Sequence, residues 1–486
     1  MTDSLLIDPE AVQRIDADCI ASGQSGRQLM NAAGHAVAAV ALGDFGDAER
    51  FVVLAGPGNN GGDGYVAAAA LRRSGANVAL FQSHSAPPST RDAADALAGC
   101  GITPLPIGAY QPHSGDVVID AVFGAGLSRD LSPKLAALVD QVTAAGVDVL
   151  AVDMPSGICG RTGRVRGAAF RAAVTVTFVA RKPGQLLMPG RDHCGRIDIA
   201  DIGVPRRLVD RHASTIAINR PALWAPFAKP KRAAGHKYSH GAMAVFSGGA
   251  SHTGAARLSA AAGLATGAGL VTLASPPDAM AVNAAHLTAV MLREIDGREA
   301  LDAFLADRRL NAFVLGPGFG IGEKARAFAL ALQDRPLVLD ADGITAFRDA
   351  PDVLFGAFAG GEPRLVLTPH DGEFARLFGD IAADPALSKV EKAVLAARRA
   401  HAAVIFKGTD TVIAAPDGRA AINTGAPPWL ATAGSGDVLA GICGALLARG
   451  YPAYEAACAA VWHHGAAALR AGPGLTAESL VTHIVV

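Results

Sequence analysis

Short runs of β-branched and aliphatic residues alternate with Ala-rich helical runs along most of the chain, and this alternation is the pattern of parallel sheets covered by helices. In the first half the strand-like runs cover 50–55, 77–82, 116–120, 148–152 and 173–179, with helical runs over 64–74 and 133–145 between them and over 9–21 and 26–42 ahead of the first strand. Between 204 and 235 the pattern breaks into Pro205, Pro221, Pro226 and Pro230 with a basic cluster at Lys229, Lys231 and Arg232, which reads as an inter-domain connection. Alternation then resumes with strands over 242–247, 270–274, 312–315, 337–340, 364–368 and 402–407, a strand pair over 411–415 and 419–423 around Pro416-Asp417-Gly418, and two long Ala-rich helices. The expectation is two α/β domains, 1–218 and 219–486, meeting near Asn219.

The length of 486 residues agrees with more than one core, since a single core rarely grows past about 300 residues. Lys and Arg total 43 against 44 Asp and Glu, so no strong field attracts nucleic acid or anionic membrane. Half of the residues are hydrophobic and 18% are charged, which excludes disorder for most of the chain. Asp3, Asp8 and Glu10 interrupt the start where a secretory signal would be basic and then apolar, and the charge-free stretch 258–277 is built of Ala, Gly, Ser and Thr rather than membrane-spanning residues. The expected location is the cytoplasm. Cys19, Cys100, Cys159, Cys194, Cys443 and Cys458 form no C-x-x-C pair and are expected to be reduced, mostly buried thiols.

Chemistry concentrates after the strand-like runs. Phe51-Val52-Val53-Leu54-Ala55 runs into the glycine loop GPGNNGGDG, Gly56 to Gly64, and then a helix, the arrangement in which free amides meet a phosphate. The loop matches neither G-x-G-x-x-G nor a P-loop, and Asn59, Asn60 and Asp63 add side-chain oxygens to it. Two further strands end in aspartate: Ile119-Asp120, followed by a loop to Asp130, and Val152-Asp153, followed by Met154-Pro155-Ser156-Gly157. Singly, each aspartate could be a cap or a turn former; together they open onto one crevice of a doubly wound sheet. Asn60, Asp120 and Ser156 would make an oxygen cage of low formal charge, suited to a monovalent cation.

The GNNGGDG loop, the I-D-x-x-x-G-x-G segment from Ile119 and the DMPSG turn resemble NAD(P)H-hydrate epimerase over nearly all of residues 1–215. The resemblance implies a Rossmann-like fold that interconverts the R and S hydrates of NADH and NADPH at C6 of the nicotinamide ring, with bound potassium. It implies hydrate contacts from Asn59, Asn60, Gly61, Gly62 and Asp63 and from Gly124, Ala125, Gly126, Leu127, Ser128, Arg129 and Asp130, with Asp153 at the reacting ring as proton shuttle. Asn60, Asp120 and Ser156 would be the potassium ligands.

Near the C-terminus Gly434-Ser435-Gly436-Asp437 precedes an apolar helix, and Lys407-Gly408-Thr409-Asp410-Thr411 follows a strand. Aspartate at a helix start is usually dipole compensation, but here a cation, glycine turns and hydroxyls surround it in the way a phosphoryl-transfer site requires, usually with magnesium. The G-x-G-D start resembles the ribokinase-like superfamily. With HKYSHG (236–241), GPGFG (316–320), DADG (340–343), TPHDGE (368–373) and KGTDT (407–411), the half from about 220 resembles NAD(P)H-hydrate dehydratase. The resemblance implies ADP- or ATP-driven removal of water from the S hydrate, with nucleotide on Lys407, Gly408, Thr409, Asp410, Thr411 and Gly436. Ala255, Gly318, His370 and Asp437 would contact the hydrate, Asp437 also as base.

Many relatives write DADA and TPHPGE where this chain has Gly343 and Asp371, and the added charge bears on where magnesium sits. His463-His464 reads as packing rather than a metal pair, and Cys159 as an incidental thiol. The leading expectation is a bifunctional repair enzyme for hydrated nicotinamide cofactors, a homo-oligomer acting on small molecules. The rivals are a small-alcohol kinase with a nucleotide-sensing first half, and a first half that serves only as a scaffold.

Overall fold

The computed structural model describes residues 5–228 and 240–486. Lys229 to Arg232 of the basic cluster and His236 to Ser239 of HKYSHG lie outside the described residues. The chain divides into two compact units, Met1–Ile216 and Ala217–Val486.

The first unit holds strands β1 (Arg50–Ala55), β2 (Val78–Gln82), β3 (Leu105–Pro106), β4 (Asp116–Ala121), β5 (Asp148–Val152), β6 (Val174–Phe178) and β7 (Arg196–Ala200). They form one parallel sheet in the order β3-β2-β1-β4-β5-β6-β7, which reverses direction between β1 and β4 and so opens the ligand crevice of a doubly wound fold there. Successive residues enter opposite faces. Val53, Ile119, Leu150 and Val152 belong to one buried cluster, and Val52, Leu54, Val118, Val149 and Ala151 to the other. Leu54 pairs with Asp120 and Asp120 with Ala151, so the strand ends lie abreast.

One expectation is corrected here. The helix after β1 begins at Asn59, not Gly64, so most of the glycine run is helical, Asn59–Arg73. Tertiary packing overrides the poor helix propensity of glycine. A Cβ at Gly62 would stand 2.5 Å from Met30 Cε, and one at Gly64 2.6 Å from Ala121 Cβ, so only glycine lets this helix lie so close to its neighbours.

The second unit holds β8 (Ile216–Ile218) at its boundary, then β9 (Ala242–Phe246), β10 (Leu270–Ser275), β11 (Met291–Glu294), β12 (Leu310–Leu315), β13 (Leu337–Leu339), β14 (Leu365–Leu367), β15 (Ala403–Phe406), β16 (Val412–Ala414) and β17 (Ala420–Ile422). The sheet order is β11-β10-β9-β12-β13-β14-β15-β16-β17-β8, parallel from β11 to β15 and antiparallel through β16 and β17. The helix Ser435–Ala448 is buried from Val438 to Ala448, as a helix apolar on every side must be. The chain adds a third closing helix, Ala477–Thr482, to the two expected. DADG and TPHDGE are likewise not plain loops: short helices start at Ala341 and Asp371.

Much of the proline-rich bridge is packed. Leu208 and Val209 join the core of the first unit, while Trp224 is buried against Trp462 at 5.8 Å and Asn219 donates to the Cys458 carbonyl at 2.9 Å in the second. These apolar and hydrogen-bonding anchors outweigh the turn chemistry of the prolines.

Candidate active sites

A cavity of about 560 Å³ opens over the ends of β1, β4 and β5. Of the residues expected there, Asn59, Asn60, Asp63, Gly124, Ala125, Gly126, Leu127, Ser128, Arg129 and Asp153 line it; Gly61, Gly62 and Asp130 are not among the lining residues. Gly124 is closely approached: a Cβ there would lie 3.0 Å from both Asn60 Oδ1 and Asp153 Oδ2, so the three residues meet at one point.

Asp153 follows the last residue of β5 with φ +64°, a left-handed conformation that costs a non-glycine residue on the order of 1–3 kcal/mol and therefore needs support. Its amide donates to the Val176 carbonyl at 2.7 Å and its carbonyl accepts from Gln185 Nε2 at 2.8 Å. Its carboxylate is held by Lys182 Nζ at 2.5 Å, Thr177 Oγ1 at 3.0 Å and the Ala125 amide at 3.0 Å. Burial pushes this carboxyl up, but the Lys182 ammonium and these donors outweigh burial and hold it below the usual carboxylate range. Asp16 and Asp63 line the same cavity and behave oppositely. Burial takes Asp16 up to about 6, with Lys182 lowering and Asp153 raising it, and burial followed by the Asp153 and Asp16 charges puts Asp63 well above its ordinary value.

Neither Lys182 nor Asp16 belongs to a motif of the sequence. Lys182 lies shortly past the end of β6, in a run Arg181-Lys182-Pro183-Gly184 that reads as a surface turn, yet it is 1% exposed. Its position after a strand at the same sheet edge was the available signal.

Below the cavity, Asp120 is fully buried and accepts from the Ser156 amide and hydroxyl, both at 2.6 Å, and from the Val122 amide at 3.3 Å. Ser156 Oγ also approaches the Phe123 carbonyl at 3.2 Å. Burial raises Asp120 to about 6 against the pull of these donors. Asn60 Nδ2 is buried without a hydrogen-bond partner.

In the second unit Asp437 lies in the first turn of the helix Ser435–Ala448, whose start is fixed from two sides. Ser259 Oγ donates to the Asp437 carbonyl at 2.7 Å, and His464 Nε2 contacts the Ser435 carbonyl at 2.8 Å. Burial drives His464 down to about 4, so the ring is neutral; His463 packs on Trp462 at 5.0 Å. Both are packing residues, as expected. Lys407 Nζ contacts Asp340 at 3.0 Å and Glu373 at 3.8 Å, and a Cβ on Gly436 would lie 3.6 Å from that same nitrogen. Burial opposes the Lys407 charge, but Asp340 and Glu373 outweigh it and hold the ammonium above its ordinary range. Burial and then Asp340 raise Asp437 to about 6, with Lys407 pulling the other way.

Ala255 and Gly318 are neighbours, 3.4 Å apart for a Cβ built on Gly318. Ala255 lies one helical turn before Ser259, which ties it to the Asp437 helix start. His370 caps its own helix by accepting the Gly372 amide at 3.0 Å, and Glu373 links it to Lys407. Asp410 is committed to Lys389 at 2.6 Å, and Thr411 Oγ1 donates to the Gly408 carbonyl at 2.8 Å, so both shape the loop that also carries Thr409. Among the described residues no group of three or more His, Cys, Asp or Glu could hold a metal ion, and no helix is long and apolar enough to cross a membrane. All six cysteines are free and buried.

The family model described as NAD(P)H-hydrate dehydratase matches residues 243–484, and the model described as YjeF-related protein N-terminus matches residues 26–184. The bifunctional NAD(P)H-hydrate repair enzyme Nnr of Thermofilum pendens is 34% identical, with 99% of this chain and 94% of that protein covered. The enzyme of the same description from Gloeobacter violaceus is 37% identical over 95% of this chain and 92% of its own length. A crystal structure of ADP/ATP-dependent NAD(P)H-hydrate dehydratase from Bacillus subtilis is 24% identical, with 53% of this chain and 92% of that chain covered at a TM-score of 0.44.

The Lys182–Asp153 pair makes a stability prediction. Lys182→Met leaves a buried carboxylate without its counter-charge and lowers stability by about 3–5 kcal/mol, whereas Lys182→Met with Asp153→Asn recovers most of the loss. Thermal unfolding of both variants at neutral pH checks this.

Proposed function

We propose, from the premise that this chain belongs to the family of bifunctional NAD(P)H-hydrate repair enzymes, that its two units divide the repair between them. The enzyme interconverts the R and S hydrates of NADH and NADPH and dehydrates the S form. In our reading residues 1–218 are the epimerase and 219–486 the nucleotide-dependent dehydratase. The observation that carries the division is that each unit contains one family match and one aspartate–lysine site at the strand ends. NAD(P)H hydrates and nucleotides as substrates, together with six buried thiols, fit a cytoplasmic enzyme.

In the first unit the hydrate occupies the cavity between Asn59–Asp63 and Gly124–Arg129, with C6 toward Asp153. The ring nitrogen beside C6 expels the hydroxyl, and water returns to the other face. Asp153, kept ionised by Lys182, accepts a proton from the arriving water, and Lys182 holds the carboxylate in place through its contact with Oδ1. The oxygens of Asp120, Ser156 and Asn60, with the Phe123 carbonyl beside Ser156, are hard donors with one formal charge. That donor set fits potassium, which would supply a fixed positive charge under the anionic substrate.

In the second unit Lys407 and the amides at the start of the helix Ser435–Ala448 neutralise the nucleotide phosphates, with Gly436 leaving room for their approach. A nucleotide-bound magnesium would be held chiefly by the phosphate oxygens, since Asp340 and Glu373 already face Lys407. Asp437 takes the proton of the C6 hydroxyl as that oxygen attacks the terminal phosphorus of the nucleotide, whose bond to the bridging oxygen breaks to release AMP from ADP or ADP from ATP. The phosphate then departs with the C6–O electron pair as the ring nitrogen pushes, and loss of the C5 proton restores the double bond.

Racemic NADH hydrate with nucleotide should be consumed completely by the wild type, followed as NADH absorbance, and should stop near half with Asp153→Ala. Potassium should support the second half of the reaction and sodium should not, with Asp120→Ala removing the dependence; equal rates in both salts would refute the cage. The third expectation concerns pH. Asp437 must be ionised to act as base, so dehydration should fall about tenfold per unit as pH drops below about 6. Asp437→Asn should lose on the order of a hundredfold in turnover while changing stability by no more than about 1 kcal/mol and sparing nucleotide affinity, which calorimetry measures.

A further inference from the structure

The helix Pro9–Ala21 turns Ala11, Ile15 and Cys19 into the core and presents Val12, Asp16 and Ile20, one turn apart, to the N-terminal cavity. Asp16 lies mid-helix, so it neither caps the helix nor answers its dipole. Among the described residues its side chain makes no hydrogen bond and no ion pair, although it lies close enough to feel both Lys182 and Asp153. A part-buried carboxyl that lines a cavity without a hydrogen-bond partner is available to what the cavity binds.

The chemistry of the cavity supplies one. Inversion at C6 requires the hydroxyl to leave from one face of the ring and water to arrive at the other. Because the reaction runs both ways, each face needs a group able to donate a proton to a departing hydroxyl and accept one from arriving water. Asp153 serves one face only, since Lys182, Thr177 and the Ala125 amide fix its carboxylate. Asp63 belongs to the helix Asn59–Arg73 that carries the glycine loop, and burial raises its carboxyl well above the ordinary range, whereas Asp16 enters the cavity from the separate helix Pro9–Ala21. Its neighbours are Lys182, Asp153, Asp63 and, on its own helix, Cys19.

We propose that Asp16 is the second acid–base catalyst of epimerisation, acting on the ring face opposite Asp153; this rests on the epimerase reading of the first unit. In one direction the Asp16 carboxyl protonates the C6 hydroxyl, the C6–O bond breaks with its electron pair leaving as water, and the N1 lone pair forms the N1=C6 bond. Water then bonds to C6 on the other face, its proton passes to Asp153, and the N1=C6 pair returns to nitrogen. One water leaves, one enters, and a proton has moved from Asp16 to Asp153. The reverse turnover, or exchange with solvent, resets the pair.

The test uses the full chain with racemic NADH hydrate, nucleotide and potassium. The rapid first phase reports dehydration of the S form, and the second phase reports conversion of R to S. Asp16→Asn should leave the first phase unchanged and reduce kcat of the second by about a hundredfold, with KM within threefold and the melting temperature not lowered. Asp16→Glu, which keeps a carboxyl, should retain at least about a tenth of wild-type kcat, and it carries the test should Asp16→Asn fold poorly. A second phase within threefold of wild type in Asp16→Asn, a change in KM alone, or equal losses in Asn and Glu variants overturns the assignment. A wild type whose second phase is no faster than the uncatalysed interconversion refutes the epimerase reading instead.

Discussion

A strand buried on both faces leaves little place for a charged side chain except at its end, and both halves of this protein are built on such strands. Along β5 Val149 and Ala151 fill one core while Leu150 and Val152 fill the other, so the first functional group the chain can offer is Asp153, one residue past the strand. The same logic puts Asp340 directly after β13 and Lys407 directly after β15. Because the strands are parallel, their carboxyl ends share an edge, and groups distant in sequence converge without any loop having to fold back on itself. Asp120 shows the limit of the rule. It lies inside β4 and is tolerated there only because two amides and a hydroxyl satisfy it.

The convergence rule explains which parts of the molecule could be read from the sequence. The runs 50–55 and 148–152 coincide with β1 and β5, because an uninterrupted apolar run bounded by turn residues has few alternatives in an α/β chain. The edge strands β3, β7, β8 and β11 are not legible in the sequence. β3 is two residues long and ends in proline, while β7 and β11 carry charges beside their apolar residues. Asp153, Lys407 and Asp437 are legible because each stands just past a strand or at a helix start, and Asp120 because it closes the apolar run 117–119.

What remained illegible depends on contacts between elements. Gly61 and Gly62 have the composition of a loop, and their helical state follows from how closely Met30 and Gly56 approach. Lys182 reads as a surface residue until β6 sets it beside Asp153. Asp16 reads as one polar position of an amphipathic helix, because nothing local distinguishes a side chain facing a cavity from one facing solvent. Asp410, expected at the nucleotide, is also paired with Lys389 of the helix Lys389–Ala400, a contact no local motif announces.

The two sites use the same pair of residue types to opposite effect, and distance decides the outcome. Lys182 touches Asp153 directly, so the carboxylate is stabilised as an anion despite burial. Lys407 spends its contacts on Asp340 and Glu373, and what reaches Asp437 is a weaker attraction set against the charge of Asp340. Asp437 therefore titrates near 6, where a group can take a proton from a hydroxyl and release it again near neutral pH, while Asp153 remains charged. An aspartate held below the usual carboxylate range steadies a ring that gains positive character and accepts a proton from arriving water, but it is poorly suited to give one to a departing hydroxyl. The cavity around it answers that deficiency with Asp16, a carboxyl left free of structural partners and raised to the range in which protons are exchanged.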